Sequence, residues 1–309
     1  MMSVLSTPDG AGGFDRLVGM RRIVTVMGTV FTLDLRDLDP SSWQADEVVA
    51  WWHWVDQTFS TYRPDSQVSR LAAGSLRLDG CAPEVRHMLD LCERAAAASC
   101  SHFTDRPGGR LDPSGMVKGW SVEVASDMLR QAGSEHRCIT AGGDVSCAGV
   151  PEAGDVWRVG VVDPFDPHHL LAVVARPEPE GPQLAVATSG TAERGHHIVD
   201  PVTGAAAAEL ASVTVVGTGL TVADWTATAA FAMGNDSRHW LEGIDGLEAY
   251  VVTAEGDYWY TEGFEKLGKI IADPSPHRGA SDHPDESAFR WRSRGSRTLA
   301  VVAGSWCPA

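Results

Sequence analysis

The chain has 309 residues, of which 43% are hydrophobic and 21% charged, proportions that suit a globular protein large enough to enclose a substantial core. Its 25 Lys and Arg against 41 Asp and Glu give a net charge of -16, which argues against general binding to a nucleic-acid backbone or an anionic membrane surface. No run approaches the roughly 18 apolar residues of a membrane span.

The N-terminus lacks a charged start followed by an apolar core, so no secretory signal is read and a cytoplasmic location is expected. The six cysteines (Cys81, Cys92, Cys100, Cys138, Cys147 and Cys307) show neither a CxxC pair nor zinc spacing, and reduced thiols are the simplest account. Residues 1–18, rich in Gly, Ser and Asp, read as a flexible lead-in. From Arg22 the apolar residues alternate around Met27-Gly28-Thr29, predicting a strand pair or one bent strand. A helix is predicted over 42–59, carrying Val48, Trp51, Trp52, Val55 and Phe59 inward. It breaks into an exposed turn in which Tyr62 stands beside Arg63, a pair that can stack on a planar heterocycle or pack on a neighbouring loop.

A second helix is predicted over 83–98, and a loop over 100–110 follows it. In the next stretch Asp112 and Lys118 flank Gly115 and Gly119 ahead of a helix predicted over 120–132. Unpaired N–H groups and the macrodipole at such a helix start favour anions, although the P-loop pattern is absent. A strand over 137–140 runs into Gly142-Gly143-Asp144, and strands over 157–162 and 170–175 follow.

The apolar run Leu184 to Thr188 predicts a strand that stops at Ser189-Gly190-Thr191. After a charged loop come His196, His197, the short run Ile198-Val199 and the turn Asp200 to Gly204. Hydroxyls, an imidazole and a carboxylate gathered by one hairpin have the composition of a reaction centre. They also suit a tight polar hairpin that only satisfies its own backbone. A buried strand is predicted over 211–217 and a helix over 221–234, with Thr221 as its N-cap. Asp224 and Thr228, at i and i+4, share one face of this otherwise apolar helix. Two adjacent oxygen donors suit a hard cation such as Mg²⁺, though a first-turn Asp and a back-bonded Thr would look the same. A strand over 246–252, a polar Pro-rich loop over 274–287 and a last strand over 298–302 complete the reading.

Taken together these segments resemble the ApbE family of flavin transferases. The resemblance rests on Met27-Gly28-Thr29, Phe59-Ser60-Thr61-Tyr62, Asp112 to Trp120, Gly142-Gly143-Asp144, Thr188-Ser189-Gly190, His197 to Gly204, and Ala223-Asp224 with Thr228. It covers about residues 20–265 in the family's order. Before Asp112 the chain is shorter than the family's usual run, and only His102-Phe103-Thr104-Asp105 remains recognisable. The resemblance implies an α+β fold: a single unit of mixed and antiparallel strands with packed helices and a central cleft for the cofactor. That unit would span 19–270, with 271–309 as a partly disordered extension.

It further implies Mg²⁺-dependent transfer of the FMN moiety of FAD onto a threonine of an acceptor flavoprotein, with release of AMP. Carried over by residue, Met27, Tyr62, His102, Phe103, Asp112, Lys118, His197 and Ile198 would bind FAD. Gly115, through its carbonyl, Asp224 and Thr228 would hold Mg²⁺, and His197 would be the catalytic base. The partners implied are FAD and the acceptor protein, without nucleic acid or membrane insertion. Hydrolysis of FAD to FMN and AMP, or flavin binding without catalysis, would use the same residues.

Overall fold

The structure is a computed structural model that describes residues 19–38, 43–176, 181–190 and 199–274, and the backbone of 300–303. The lead-in 1–18 and most of the polar loop predicted over 274–287 lie outside the described residues. Among the described residues an eight-stranded antiparallel sheet has the order β1 (Met20–Val26), β2 (Thr29–Leu35), β3 (Arg137–Ala141), β4 (Asp144–Ala148), β7 (Leu184–Gly190), β8 (Leu210–Gly217), β9 (Glu248–Thr253), β10 (Tyr258–Tyr260). A smaller sheet places β11 (Gly268–Ile270), β6 (Asp166–Ala175), β5 (Arg158–Asp163) and β12 (Ala300–Ala303) in that order, β12 running parallel to β5. Mixed and antiparallel strands with packed helices are the α+β class expected from the sequence.

Helices cover one face of the large sheet and the small sheet covers the other. Side chains alternate across a strand, so successive residues enter different cores. In β3, Cys138 joins the core between the sheets while Ile139 joins the core under the helices. In β9, Tyr250 and Val252 face the small sheet and Ala249 and Val251 face the helices. With both faces covered, β8 is buried along its whole length, Leu210 to Gly217. The helical layer contains α1 (Trp43–Phe59), α2 (Gln67–Ala72), α3 (Pro83–Ala98), α4 (Ser114–Gln131), α5 (Leu220–Met233) and α6 (Ser237–Glu242). A third apolar cluster, with Phe59, Trp120 and Phe103, fills the space among α1, α3 and α4.

Local chemistry explains the turns. Met27 and Gly28 both have positive φ, 52° and 72°, and form the two-residue turn that joins β1 to β2. Gly142 and Gly143, at 51° and 92°, do the same between β3 and β4. A left-handed methionine is unfavourable, so the fold holds Met27 there against its own preference.

Three boundaries differ from the sequence reading. The helix predicted from Trp120 begins six residues earlier at Ser114, with Pro113 at its N-cap and an Asx turn just ahead of it in which Asp112 Oδ1 accepts the Ser114 N–H at 3.0 Å. Strand β7 does not stop at Ser189, since Ser189 pairs with Val213 and Gly190 with Ser212. Thr221 is not the N-cap of α5; the helix starts at Leu220, and the Thr221 N–H donates to Glu123 Oε2 of α4 at 2.7 Å. That cap is supplied from another helix, which local sequence does not reveal.

α4 and α5 pack closely because Gly119 has no side chain. A Cβ there would lie 2.7 Å from Asp224 Cβ and 2.8 Å from the Leu220 carbonyl oxygen. Gly119→Ala should therefore force the helices apart and destabilise the fold by about 2–3 kcal/mol, measured by denaturant unfolding.

Candidate active site

Where α4 meets α5 they run in opposite senses: the Gly115 position faces the Thr228 methyl and the Gly119 position faces Asp224. Two small residues one turn apart on α4 thus oppose two oxygen-bearing residues one turn apart on α5. Asp224 is buried, and its Oδ2 accepts the Gly119 N–H at 2.8 Å. In a regular helix that N–H would bond to the carbonyl four residues back, which belongs to Gly115. Asp224 therefore competes with the Gly115 carbonyl for that N–H. Phe103 is buried against the Gly115 position and meets Trp225 edge-on at 6.2 Å between ring centroids.

Lys118 connects this contact to the sheet. Its Nζ lies 2.6 Å from Asp144 Oδ2 and 3.9 Å from Asp224 Oδ1. Asp144, the first residue of β4, is fully buried, and its Oδ1 accepts the Thr188 N–H of β7 at 3.2 Å. The neighbouring Ser189 Oγ lies 3.1 Å from Thr228 Oγ1. One cation, two buried carboxylates and two hydroxyls from four elements therefore converge. Burial pushes the Asp224 carboxyl above the usual carboxylate range, with Lys118 and the Gly119 N–H opposing the shift.

Among the described residues no three His, Cys, Asp or Glu stand close enough to hold a metal by themselves. The donors beside Gly115 are a carboxylate, two hydroxyls and a helix carbonyl, all oxygen. That set fits a hard divalent cation better than a soft metal.

A second polar cluster stands close in sequence to the histidine loop. His102 Nδ1 lies 3.1 Å from Asp200 Oδ1. Asp200 also accepts the Val202 N–H (3.0 Å), the Thr203 N–H (3.2 Å) and the Thr203 hydroxyl (2.6 Å). Burial raises its pKa, but the Thr203 hydroxyl, the Val202 N–H and the His102 ring together bring the carboxyl below its ordinary value.

The structure thus brings together Gly115, Lys118, Asp224 and Thr228, with Phe103 beside them, and sets His102 on Asp200. Asp112 lies just ahead of α4, where its Oδ1 accepts the Ser114 N–H. Met27 is half-buried against the helical cores, and Tyr62 is 90% exposed. Its turn is tied to the loop before α4 through Arg110, which donates to the Thr61 carbonyl. His197 and Ile198 lie outside the described residues. The sequence reading assigns Asp144 no role in the site, whereas the Asp200 carboxylate belongs to the hairpin whose composition suggests a reaction centre. The signal for Asp144 is its Gly-Gly-Asp turn.

The fold and cluster define an α+β protein with a lysine and carboxylates poised between two helices and the adjoining strand ends. Solved structures share this architecture: the flavin transferase ApbE from Vibrio cholerae superposes with a TM-score of 0.70 at 20% identity, covering 81% of this chain and 99% of that one. The ApbE protein from Thermotoga maritima gives 0.71 at 21% identity, with the same coverage. A model of the ApbE family matches residues 103–251 of this chain. Among curated relatives, an FAD:protein FMN transferase of Vibrio cholerae is 28% identical over 240 residues, 59% of this chain and 71% of the relative. One from Escherichia coli K12 is 26% identical over 166 residues, and this chain spans 46% of its length.

Because Asp200 has a lowered pKa in the folded state, its contribution to stability is present above the ordinary carboxylate pKa and is lost as pH falls through the folded value. Asp200→Asn should cost roughly 1–2 kcal/mol near pH 7. The difference from the unsubstituted protein should shrink as pH falls through the folded value, which lies below that of a free carboxylate, as followed by urea unfolding across pH.

Proposed function

We propose that the chain is an FAD:protein FMN transferase, which moves the FMN moiety of FAD onto a threonine hydroxyl of an acceptor flavoprotein and releases AMP in a Mg²⁺-dependent reaction. The observation that carries this reading is Lys118 held between the buried carboxylates of Asp144 and Asp224, one helical turn from the oxygen donors of Gly115 and Thr228. The names of the curated relatives support the substrate and the reaction.

The chemistry follows from these groups. Asp144 and Asp224 fix the Lys118 ammonium from two sides, so its charge needs no reorganisation when phosphate oxygens arrive. Asp224, Thr228 and the Gly115 carbonyl would hold Mg²⁺, which when bound supplies Lewis-acid neutralisation of the pyrophosphate. The acceptor threonine oxygen attacks the phosphorus of the FMN half. The phosphoanhydride bond to the AMP half breaks, and AMP leaves with the bridging oxygen. The hydroxyl proton passes to His197, whose imidazole suits that task near neutral pH. Phe103 and Trp225, in edge-on contact, form an apolar side of the cluster.

Incubation with FAD, Mg²⁺ and a threonine-bearing acceptor peptide should add one FMN phosphoester to the peptide and release an equal amount of AMP, read by mass spectrometry and chromatography. AMP and FMN formed at the same rate without peptide would identify a hydrolase instead. His197→Ala should bind FAD but transfer at least about 100-fold more slowly; transfer at the normal rate would remove the base assignment. Asp224→Asn should fold and lose both transfer and its Mg²⁺ dependence, followed in the same assay beside a thermal melt.

A further inference from the structure

Away from the polar cluster, two cysteines face each other inside the core between the two sheets. Cys138 of β3 and Cys147 of β4 are direct cross-strand partners in the antiparallel register, and their sulfur atoms lie 2.7 Å apart. Directly opposed residues in such a pair have Cα separations of about 4.5–5.5 Å, inside the range a disulfide spans. Both side chains are buried, packed with Trp157, Val159, Leu184 and Val186. The two strands are joined by the two-residue Gly142-Gly143 turn, so the pair is brought together by a local hairpin.

We propose that Cys138 and Cys147 form a cross-strand disulfide when the chain folds in the presence of a small-molecule disulfide, stapling the hairpin that carries Asp144. One cysteine thiolate attacks the oxidant RS–SR, giving a mixed disulfide and one RSH. The other cysteine attacks that mixed disulfide, forming the Cys138–Cys147 bond and releasing the second RSH. Two electrons pass to the oxidant and the two thiol protons leave with the released thiols. Closure occurs before the small sheet covers the hairpin, because the folded core shields both sulfurs and burial pushes the Cys147 thiol well above its ordinary pKa. Arg176, which acts on Cys147 in the opposite sense, and Asp34 are the charged groups facing it. In a reducing compartment the pair stays a dithiol. Asp144 lies three residues from Cys147, so the staple restrains the strand that positions the partner of Lys118.

The test is refolding of the full chain from denaturant with oxidised glutathione or with reductant. Remaining thiols are blocked with N-ethylmaleimide under denaturing conditions, and the chain is cleaved before Asp144 without reduction. The expected result is a pair of peptides joined only through Cys138 and Cys147, and a Tm roughly 5–10 °C above that of the reduced protein. Cys147→Ala should abolish that difference in Tm. Cys138 and Cys147 both carrying maleimide after oxidative refolding, or either joined to one of the other four cysteines, would overturn the proposal. A joined pair with an unchanged Tm would overturn the stapling.

Discussion

A carboxylate without water is expensive to hold, and Asp224 sits almost fully enclosed between two helices. Two groups offset that cost: the Gly119 N–H, presented because glycine lets the backbone come close, and the Lys118 ammonium one residue earlier. Lysine in turn is tolerated there because Asp144 meets it from the sheet side. Each member of the set satisfies another, so the packing of α4 on α5 and the position of the cation are one structural fact. Replacing any member by an apolar residue would leave another buried polar group unmatched.

The layered architecture explains why the polar groups collect where they do. With helices on one face and the small sheet on the other, the middle of the large sheet is mostly apolar on both sides, and its buried hydroxyls (Ser146, Thr214) carry no charge. Chemistry must therefore emerge at strand ends and turns. Asp144 begins β4 just beyond a glycine turn, and Thr188 and Ser189 lie near the end of β7. The helix that faces them starts at Ser114, which carries Gly115 and Lys118 in its first turns. Strand ends and a helix start converge on one edge of the central layer.

Much of the element order was legible because the periods are distinct. The α3 pattern starts at its Pro and ends where the alanine run stops, and the hairpin around Gly28 follows from alternation broken by a turn residue. Asp224 and Thr228 were recognisable as a pair because four residues is one helical turn. The start of α4 is hidden in the sequence because the stretch from Ser114 to Gly119, with two glycines, resembles a loop. The end of β7 was misread because Ser and Gly usually mark turns, whereas here pairing with β8 keeps them extended.

Sequence alone determined the α+β class, the periodic elements, and the presence of phosphate-attracting and oxygen-donating residue types in the ApbE order. Only the tertiary structure decided that Lys118 pairs with Asp144, that Glu123 caps α5, that His102 meets Asp200, and that two cysteines nine residues apart stand side by side. Local patterns arise from each residue's own backbone preference and its neighbours along the chain, so they can be read in order. Partners from separate elements are set by how helices and sheets stack to exclude water, and that geometry exists only once the whole core has formed.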